Sequence, residues 1–600
     1  MKNRTLLPAL PTIALAKAGL ILFLPTLLFS QQKPSLPYIT PDAPTWMHQL
    51  GAENPNVFEI QKNYAEYFEN QPFEKNSYTQ YFKHWMHWAR PFVQADGSIK
   101  EPTMKEIAEK ESAVLALRSK AQQSDNSAGW SFLGPKQTFD TDGLTEVTWQ
   151  TNVYSIDISL SDPNVLYAGG ETGGVWKTTD KGLHWQLLTI NVLHGSFGAV
   201  KIHPTDPNIV YAGTGGKIIK TTDGGATWAT VYSESGLWVN DIAIKTNQPD
   251  VVLAASDQGL LRTANAGANW AKIHTQQTWA VEYKPGDPNT AFCIRKSGTG
   301  SDFRVSTDGG ATFNNSNTGW WTPAAGMTVT GGMIAVCPSN PSKVYAYLCG
   351  EGGNLGGYVG VFRSNNSGGT WANTHPTNAI GQPYSIPAHT NLMDANGVDW
   401  FTQGFYDMAI VVNPANDNQL IAGGCSWFKS VDGGATWTAL GSYVGGLSWS
   451  HPDIQACVAL GNDLWITSDG GINYSNNFGQ SIQARMNGIS GSDMWGFDSG
   501  WNEDVLVGGR YHNGNMAWHE SFPEGKFYRM GGAEAATGYV NPGQNRKMYH
   551  SDIGGHEVRG GFLNGVNSFP VGLFPNESYA YYANSEMAWD PRCWNMVYLG

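Results

Sequence analysis

A short phrase repeated along the chain constrains its fold more than any other feature. The phrase reads Ser/Thr-x-Asp/Asn-x-Gly-x-Thr/Asn followed by an aromatic residue, and clear copies span residues 178–185 and 221–228. The acid or amide positions of the first four copies lie 43, 42 and 43 residues apart, which matches one four-stranded blade of a β-propeller. These positions are Asp180, Asp223, Asn265, Asp308, Asn366, Asp432 and Asn477.

A second phrase precedes the repeated one and predicts a turn followed by a strand. It reads Asp-Pro-Asn-Val-Leu-Tyr-Ala-Gly at 162–169 and Asp-Pro-Asn-Ile-Val-Tyr-Ala-Gly at 206–213. Weaker versions bring the count to about ten blade units. The 71 Gly, 24 Trp and 25 Tyr also favour short strands and tight turns. We therefore predict an all-β, multi-bladed β-propeller, as one ten-bladed ring or as two smaller rings.

The repeat spacing also assigns an ambiguous copy. The sequence around Asp469 resembles the phrase, but Asp469 follows Asp432 by only 37 residues. Placing the copy at Asn477 restores a spacing of 45 residues. Asp469 then lies in the loop between the second and third strands of its blade, as Glu171 does in the first blade.

The chain before the repeats has a different character. Basic residues, an apolar run over 19–29 and Ser30 predict a signal peptide over residues 1–30. A signal anchor is disfavoured because the run is short, and no other stretch approaches the roughly 18 apolar residues of a span. We expect a secreted or cell-surface protein with no membrane span after signal cleavage.

Residues 31–128 are predicted to form a helical N-terminal extension and a linker, because aromatic and charged residues alternate there at helical spacing. Thr103 and Glu106 form a capping box for a helix that runs to about Lys120. The propeller is assigned to residues 129–600. Its last unit ends after too few strands, so we expect the natural chain to continue; the alternative is that residues 130–150 complete this blade.

Charge and cysteine spacing exclude several classes of function. The net charge of -13, with no cluster of Lys and Arg, argues against a nucleic-acid partner. The absence of a C-x-x-C motif argues against a zinc or redox site and leaves open either one or two disulfides or buried thiols. We predict no cofactor and no metal. The cysteines are at positions 293, 337, 349, 425, 457 and 593.

The stretch from Gly129 to Pro135, continued through the repeated phrases, resembles the Asp-box (BNR-repeat) β-propellers. That group includes sortilin-type domains, photosystem II assembly-factor propellers and xyloglucanase-type glycoside hydrolases. The order of the segments 406–410, 451–453 and 469–471 is similar to that of large secreted propellers exported by the type IX pathway. The resemblance implies that the repeated Asp and Asn residues are structural, since every blade carries one.

The resemblance places ligand sites on the face opposite the repeated turns. The acids expected there, between second and third strands, are Glu171, Asp257, Asp469 and Asp552. The loop at Asp552 resembles the one that carries a catalytic carboxylate in xyloglucanase-type enzymes, and Glu171 is its analogue in the first blade. A glycosidase requires such a pair of carboxyl groups. Glu171 stands where those enzymes have Asp.

Further residues are candidates for ligand or metal binding. Long loops on the same face carry aromatic residues that suit sugar rings. A site of His451, Asp453, His512, His519, His550 and His556 is disfavoured, because the Gly-x-Gln-Asp-Asn-Gly of related propellers is altered at 509–514. A sialidase is not predicted, since Arg304 lacks the Ile-Pro that follows it in those enzymes. The predicted binding residues are Trp320, Trp321, Trp400, Phe401, Tyr406 and Asp469.

Two functions follow from these residues. The first is a non-catalytic extracellular propeller that binds a polysaccharide or a cell-surface protein. The second is an endo-acting glycoside hydrolase that uses Glu171 and Asp552 as its carboxylate pair.

Overall fold

The fold is described by a computed structural model. It covers residues 36–599 except 74–75, 104, 107, 110–111, 113–131, 193, 353–356, 375–405, 442–449, 501–503, 532–537, 542–545, 551–553, 570–586 and 591–592. The predicted signal peptide lies outside these residues.

Among the described residues, the N-terminal part contains the helices α1 (Thr45–Leu50), α2 (Val57–Asn70) and α3 (Ser77–Ala89). Asn56 and Asn76 cap α2 and α3 by accepting backbone N–H groups, which satisfies donors that a helix start leaves unpaired. The predicted Thr103–Glu106 capping box is present, with the Thr103 N–H donating to Glu106 Oε2 at 2.8 Å. The end of that helix, near Lys120, lies outside the described residues.

Strand β1 (Gln137–Phe139) precedes seven sheets of four antiparallel strands, each in sequence order. We call these sheets blades one to seven. Their strands are β2 (Val153–Ile158), β3 (Leu166–Gly170), β4 (Val175–Thr178), β5 (Gln186–Leu187); β6 (Phe197–Ile202), β7 (Val210–Thr214), β8 (Lys217–Thr221), β9 (Ala229–Ser233); β10 (Val239–Ile244), β11 (Val252–Ser256), β12 (Gly259–Thr263), β13 (Trp270–His274); β14 (Thr278–Tyr283), β15 (Ala291–Ser297), β16 (Gly300–Ser306), β17 (Asn314–Asn315); β18 (Thr328–Val336), β19 (Val344–Glu351), β20 (Gly357–Ser364), β21 (Ala372–Asn373); β22 (Ala409–Asn413), β23 (Asn416–Gly423), β24 (Trp427–Ser430), β25 (Thr438–Gly441); and β26 (Ile454–Leu460), β27 (Asp463–Ser468), β28 (Gly471–Ser475), β29 (Gln483–Ala484).

Three further sheets follow the seventh blade, so the predicted number of about ten units is confirmed. Blade eight contains β30 (Met494–Ser499), β31 (Val505–Arg510), β32 (Gly514–His519) and β33 (Lys526–Gly531); blade nine contains β34 (Gly538–Val540), β35 (Lys547–His550), β36 (Gly554–Val558) and β37 (Val566–Phe569); the last pair is β38 (Met587–Asp590) and β39 (Cys593–Leu599).

The first seven blades close into one ring. The first strand of each blade packs against the first strand of the next, and β26 of blade seven packs against β2 of blade one. This excludes a single ten-bladed ring. The segment 130–150 does not complete the last unit either, because its strand β1 pairs in parallel with β33 and adds a fifth strand to blade eight.

Apolar residues fill the spaces between neighbouring blades. The cluster at the closure joins Trp176 and Trp185 of blade one to Trp465 and Ile472 of blade seven. Trp176 and Trp465 are fully buried, and burying a large apolar side chain stabilises a fold by roughly 1.5–3 kcal/mol. The closure is therefore held by the same apolar packing that joins the other blades.

The repeated phrase forms the same turn between the third and fourth strands of all seven blades of the ring. In blade two, Thr221 Oγ1 accepts the Gly225 N–H at 2.9 Å, and Asp223 Oδ1 accepts the Thr227 N–H at 2.9 Å. We call these seven segments the box turns. In blade seven the box turn is centred on Asn477, and Asp469 lies between β27 and β28.

The described residues also bear on membrane spans and on the cysteines. No helix among them is both long and apolar enough to cross a bilayer. Five cysteines are free thiols, namely Cys293, Cys337, Cys349, Cys425 and Cys457.

Candidate functional site

The candidate site lies on the ring face opposite the box turns, which we call the loop face. Two kinds of segment lie on this face: the loops between the second and third strands of each blade, and the segments that lead into the first strands. Glu171 and Asp469 are in loops of the first kind, whereas Tyr406 and Asp407 lead into β22. Blade eight contributes Tyr511 and its neighbours from the loop after β31.

A β-bulge at the start of the first strand shapes this face in six of the seven ring blades. A bulge inserts one extra residue and redirects its side chain. All six extra residues line a single cavity of about 130 Å³ at the mouth of the ring's central channel. These residues are Tyr154, Gly198, Asn240, Trp279, Thr330 and Gln455.

The channel-mouth cavity is polar and aromatic. Trp238 and Tyr406 complete its aromatic wall, and Asp257 is the acid among its described lining residues. Asp257 Oδ1 accepts N–H groups from Asn240 at 3.0 Å and from Gln277 at 2.9 Å. The cavity therefore presents ring faces and a fixed set of hydrogen-bonding groups on one surface.

Glu171 lies next to the cavity but is only 5% exposed. Its Oε2 accepts the Asn152 side-chain N–H at 2.7 Å, and its loop packs against the backbone at Gly491, where Thr172 Oγ1 donates to the carbonyl at 2.6 Å. Burial, followed by the charge of Asp493, raises the pKa of Glu171 to about 8. The carboxyl group is therefore mostly protonated at neutral pH.

Asp469 is fully buried behind the cavity wall. Its Oδ1 accepts the Gln455 side-chain N–H at 2.8 Å, and the Tyr406 hydroxyl donates to Oδ2 at 3.2 Å. His512 of blade eight approaches the same carboxyl at 3.4 Å. Burial and the neighbouring charges of Asp453 and Glu171 raise the pKa of Asp469 well above its usual range. Tyr406 and Asp469, both predicted as binding residues, are thus in contact.

Two more carboxyl groups join this region, and sequence reasoning did not select them as catalytic or binding residues. Asp407 is fully buried, Asp453 is 3% exposed, and their oxygen atoms lie with Cys425 Sγ within 4.8 Å of one another. Burial and the charge of Asp453 raise the pKa of Asp407 well above its usual range. We call Glu171, Asp407, Asp453 and Asp469 the acid cluster. The sequence held one indication of Asp407, because this residue directly follows the predicted binding residue Tyr406.

The remaining predicted residues have other positions. Trp320 is 8% exposed, packs in the core between blades four and five, and donates its indole N–H to the Ser301 carbonyl, so it offers no surface to a ligand. Trp321 packs partly against the same core. Trp400, Phe401 and Asp552 lie outside the described residues, and the Glu171–Asp552 pair therefore stays a prediction.

In the described part of the chain, no histidine belongs to a set of potential metal-ligand atoms, although His451 and His512 are neighbours. The one set of potential ligand atoms found close together there contains Asp407, Cys425 and Asp453 and no histidine. Both ring nitrogens of His451 face backbone carbonyl oxygens, those of Pro452 at 2.9 Å and His512 at 3.0 Å. His519 is paired with the Ser521 hydroxyl.

Solved structures with this architecture include glycoside hydrolase propellers. An ancestral GH74 enzyme aligns with a TM-score of 0.50 at 17% identity, over 73% of this chain and 60% of that enzyme. A GH74 xyloglucanase from Xanthomonas campestris aligns with a TM-score of 0.45 at 14% identity, over 76% and 84% of the two chains. A GH74 enzyme from Niastella koreensis gives 0.44 at 15% identity, over 70% and 73%.

These similarities describe the fold. The chain spans 60% of the length of the first of these enzymes, and at such low identity a shared architecture carries no information on activity. No protein-family profile matches the sequence. No curated protein matches it either. The fold is that of a β-propeller, and its candidate functional site is on the loop face.

Proposed function

We propose that the protein is an extracellular, non-catalytic propeller that binds a polysaccharide at the channel-mouth cavity. The observation that carries this proposal is the cavity itself, in which six bulged residues converge on one space beside Trp238 and Asp257. Sugar rings present an apolar C–H face and a rim of hydroxyl groups, so they suit a site that combines aromatic faces with fixed hydrogen-bonding groups.

Trp238 is the aromatic residue best placed to receive a sugar ring. It is partly exposed, and its indole lies against Gly198, where an added Cβ would come within 2.8 Å of the ring. The glycine therefore leaves room for the indole at the bulge of β6. The cavity is a small, local site of about 130 Å³, whereas a stable protein interface buries roughly 800 Å² on each partner. This favours a polysaccharide over a protein partner.

Burial of the acid cluster supports a non-catalytic function. A general acid must reach the bond that it protonates. Glu171 is only 5% exposed, and Asp469 and Asp407 are fully buried. Their hydrogen bonds to Asn152, Gln455 and Tyr406 hold them inside the wall of the cavity.

Substitution of Trp238 tests the proposal. Affinity electrophoresis and calorimetry against a panel of neutral and charged polysaccharides are expected to identify at least one ligand. Trp238→Ala is expected to weaken its binding by about tenfold, because the stacking surface is lost. Trp228→Ala is the matched control, since Trp228 is also partly exposed but follows the box turn at the opposite end of blade two. If both variants bind as the wild type does, the cavity is not the site.

A glycoside hydrolase is the second candidate, and one observation favours it. The pKa of Glu171 is raised to about 8, which keeps the carboxyl protonated at neutral pH, as the acid of a glycosidase must be. Reducing-sugar release from β-glucans should then be abolished in Glu171→Gln and in Asp552→Asn. No release of reducing sugar by the wild-type protein, from polysaccharides that it binds, would exclude this candidate.

A further inference from the structure

We infer that the polysaccharide recognised at the channel mouth carries free amino groups, so that its sugars are cationic. This inference rests on the proposed function and specifies its ligand class. It is drawn from the charge and the aromatic character of the cavity and of the channel behind it.

The cavity wall is acidic. Asp257 is its charged residue, and none of its described lining residues is Lys, Arg or His. Asp257 Oδ1 accepts two amide N–H groups, an arrangement that suits an ionised carboxylate. A cationic group entering the cavity therefore meets an oriented carboxylate and no competing basic side chain from the described wall.

More carboxyl groups lie directly behind this wall. Gln455 lines the cavity and donates to both Asp407 and Asp469, at 3.0 and 2.8 Å. Tyr406 also lines the cavity and donates to Asp469. Among the described residues, His512 contacts this part of the acid cluster through its Nδ1, which lies 3.4 Å from Asp469 Oδ2. An ammonium group at the wall would thus favour ionised carboxyls, which burial alone disfavours.

The channel beyond the cavity has the same character. On the first strands of blades one, three and four, Asp157, Asp241 and Glu282 lie in one group with a single described lysine, Lys201. Asp157 is buried, and the other three residues are half-buried. Lys201 contacts Asp157 at 3.6 Å. Carboxyl groups therefore outnumber the described basic group along the channel as well, and this arrangement disfavours an anionic sugar.

The aromatic residues complete the match. A cation is attracted to the faces of Trp and Tyr rings, and Tyr154, Trp238, Trp279 and Tyr406 surround the space. A sugar that bears ammonium groups matches both these rings and the acidic wall.

Calorimetry with matched oligosaccharides tests the inference. The probes are a β-1,4-linked glucosamine oligosaccharide, its fully N-acetylated counterpart, which is neutral, and an oligogalacturonate, which is anionic. At about pH 6 the free amines are largely protonated. We expect the glucosamine oligomer to bind about tenfold more tightly than the acetylated one. This preference should shrink as NaCl rises from about 0.05 to about 0.5 M, because salt screens charge.

Two variants of blade three assign the preference to the cavity. Asp257→Asn keeps the shape of the side chain and should remove most of the preference for the amine. Asp250→Asn is the control, since Asp250 is an exposed acid at the opposite end of the neighbouring strand β11, and it should leave the preference unchanged. Thermal unfolding of both variants verifies that they are folded.

The outcomes separate the inference from the proposed function. Equal or tighter binding of the acetylated or the anionic oligomer overturns the inference and leaves polysaccharide binding intact. An amine preference that survives Asp257→Asn also overturns it. If no polysaccharide of any charge binds, the proposed function fails and the inference fails with it.

Discussion

The protonation state of Glu171 is set by the residues that enclose it. It follows β3 in a loop of Gly and Thr residues, where Gly173 approaches the Gly491 backbone so closely that an added Cβ would lie 2.8 Å from its Cα. This close approach encloses the carboxyl group beside Asn152 and Tyr154. The acid is held in its neutral form because water is excluded around it.

This protonation state gives a testable dependence of stability on pH. Burial raises the pKa of Glu171 from 4.5 to about 8, so the folded state holds the proton more tightly than the unfolded state. The contribution of this group to stability is complete below about pH 4.5 and is lost as the pH rises through about 8. Glu171→Gln should therefore melt at a higher temperature than the wild type at pH 9 and at a similar one at pH 4. The control Glu520→Gln changes an exposed residue and should have the melting temperature of the wild type at both pH values. If Glu171→Gln differed from the wild type by the same amount at pH 4 and pH 9, the raised pKa of Glu171 would be contradicted.

At the scale of the element, the box turns and the bulges differ in how far sequence determines them. Each box turn is held by hydrogen bonds within one short phrase, so the phrase itself predicts the turn. The spacing of the repeats then assigns the turn of blade seven to Asn477 and not to Asp469. The bulges carry no such signature, because Tyr, Gly, Asn, Trp, Thr and Gln all occupy the extra position. The bulged cavity residue Trp279 could not be found from a single strand for this reason, whereas Tyr406, which also lines the cavity, is among the binding residues that the sequence predicts.

The box turns make a prediction about acid stability. Hydrogen bonds from Thr227 lower the pKa of Asp223 to about 2, so the stabilisation by its carboxylate is present above about pH 4 and is lost as the pH falls through about 2. The melting temperature of Asp223→Asn should therefore fall less between pH 5 and pH 2 than that of the wild type. Folding is expected to persist, because at natural Asn positions the amide makes equivalent bonds, as Asn366 does to Thr370 at 3.1 Å. A melt profile parallel to that of the wild type would refute this explanation.

At the scale of the whole molecule, the closed ring and its junction with blade eight depend on contacts between distant segments. The box turn of blade one is tied to blade seven by Lys181 and Asp463, whose charged atoms are 2.6 Å apart. The repeat predicts the number of blades but not where the ring closes, because any blade presents a similar apolar face to its neighbour. Closure after seven blades depends on contacts between segments that are distant in sequence, namely β2 with β26 and the shared apolar cluster of Trp176 and Trp465.

Gln150 is predicted to be the most sensitive polar residue of the junction. It is fully buried; its side-chain N–H groups donate to the Lys136 and Ile489 carbonyls, and its Oε1 accepts from Thr138. Gln150→Ala leaves these groups unsatisfied and should lower the free energy of unfolding by about 3 kcal/mol. The shift is measured as a lower midpoint in guanidinium, with the exposed Gln186→Ala as the control. A shift no larger than that of the control would show that the junction does not depend on Gln150.

The parallel pairing of β1 with β33 has a consequence for synthesis of the protein. Gln137 pairs with Lys526, so β1 leaves the ribosome long before its partner strand exists. All seven blades of the ring can be synthesised and can form the closed ring during that interval, and throughout it β1 has an unpaired edge. Such edges invite pairing with other chains. Slowing translation between residues 484 and 526 should therefore increase aggregation of the nascent protein, although the finished fold would be unchanged.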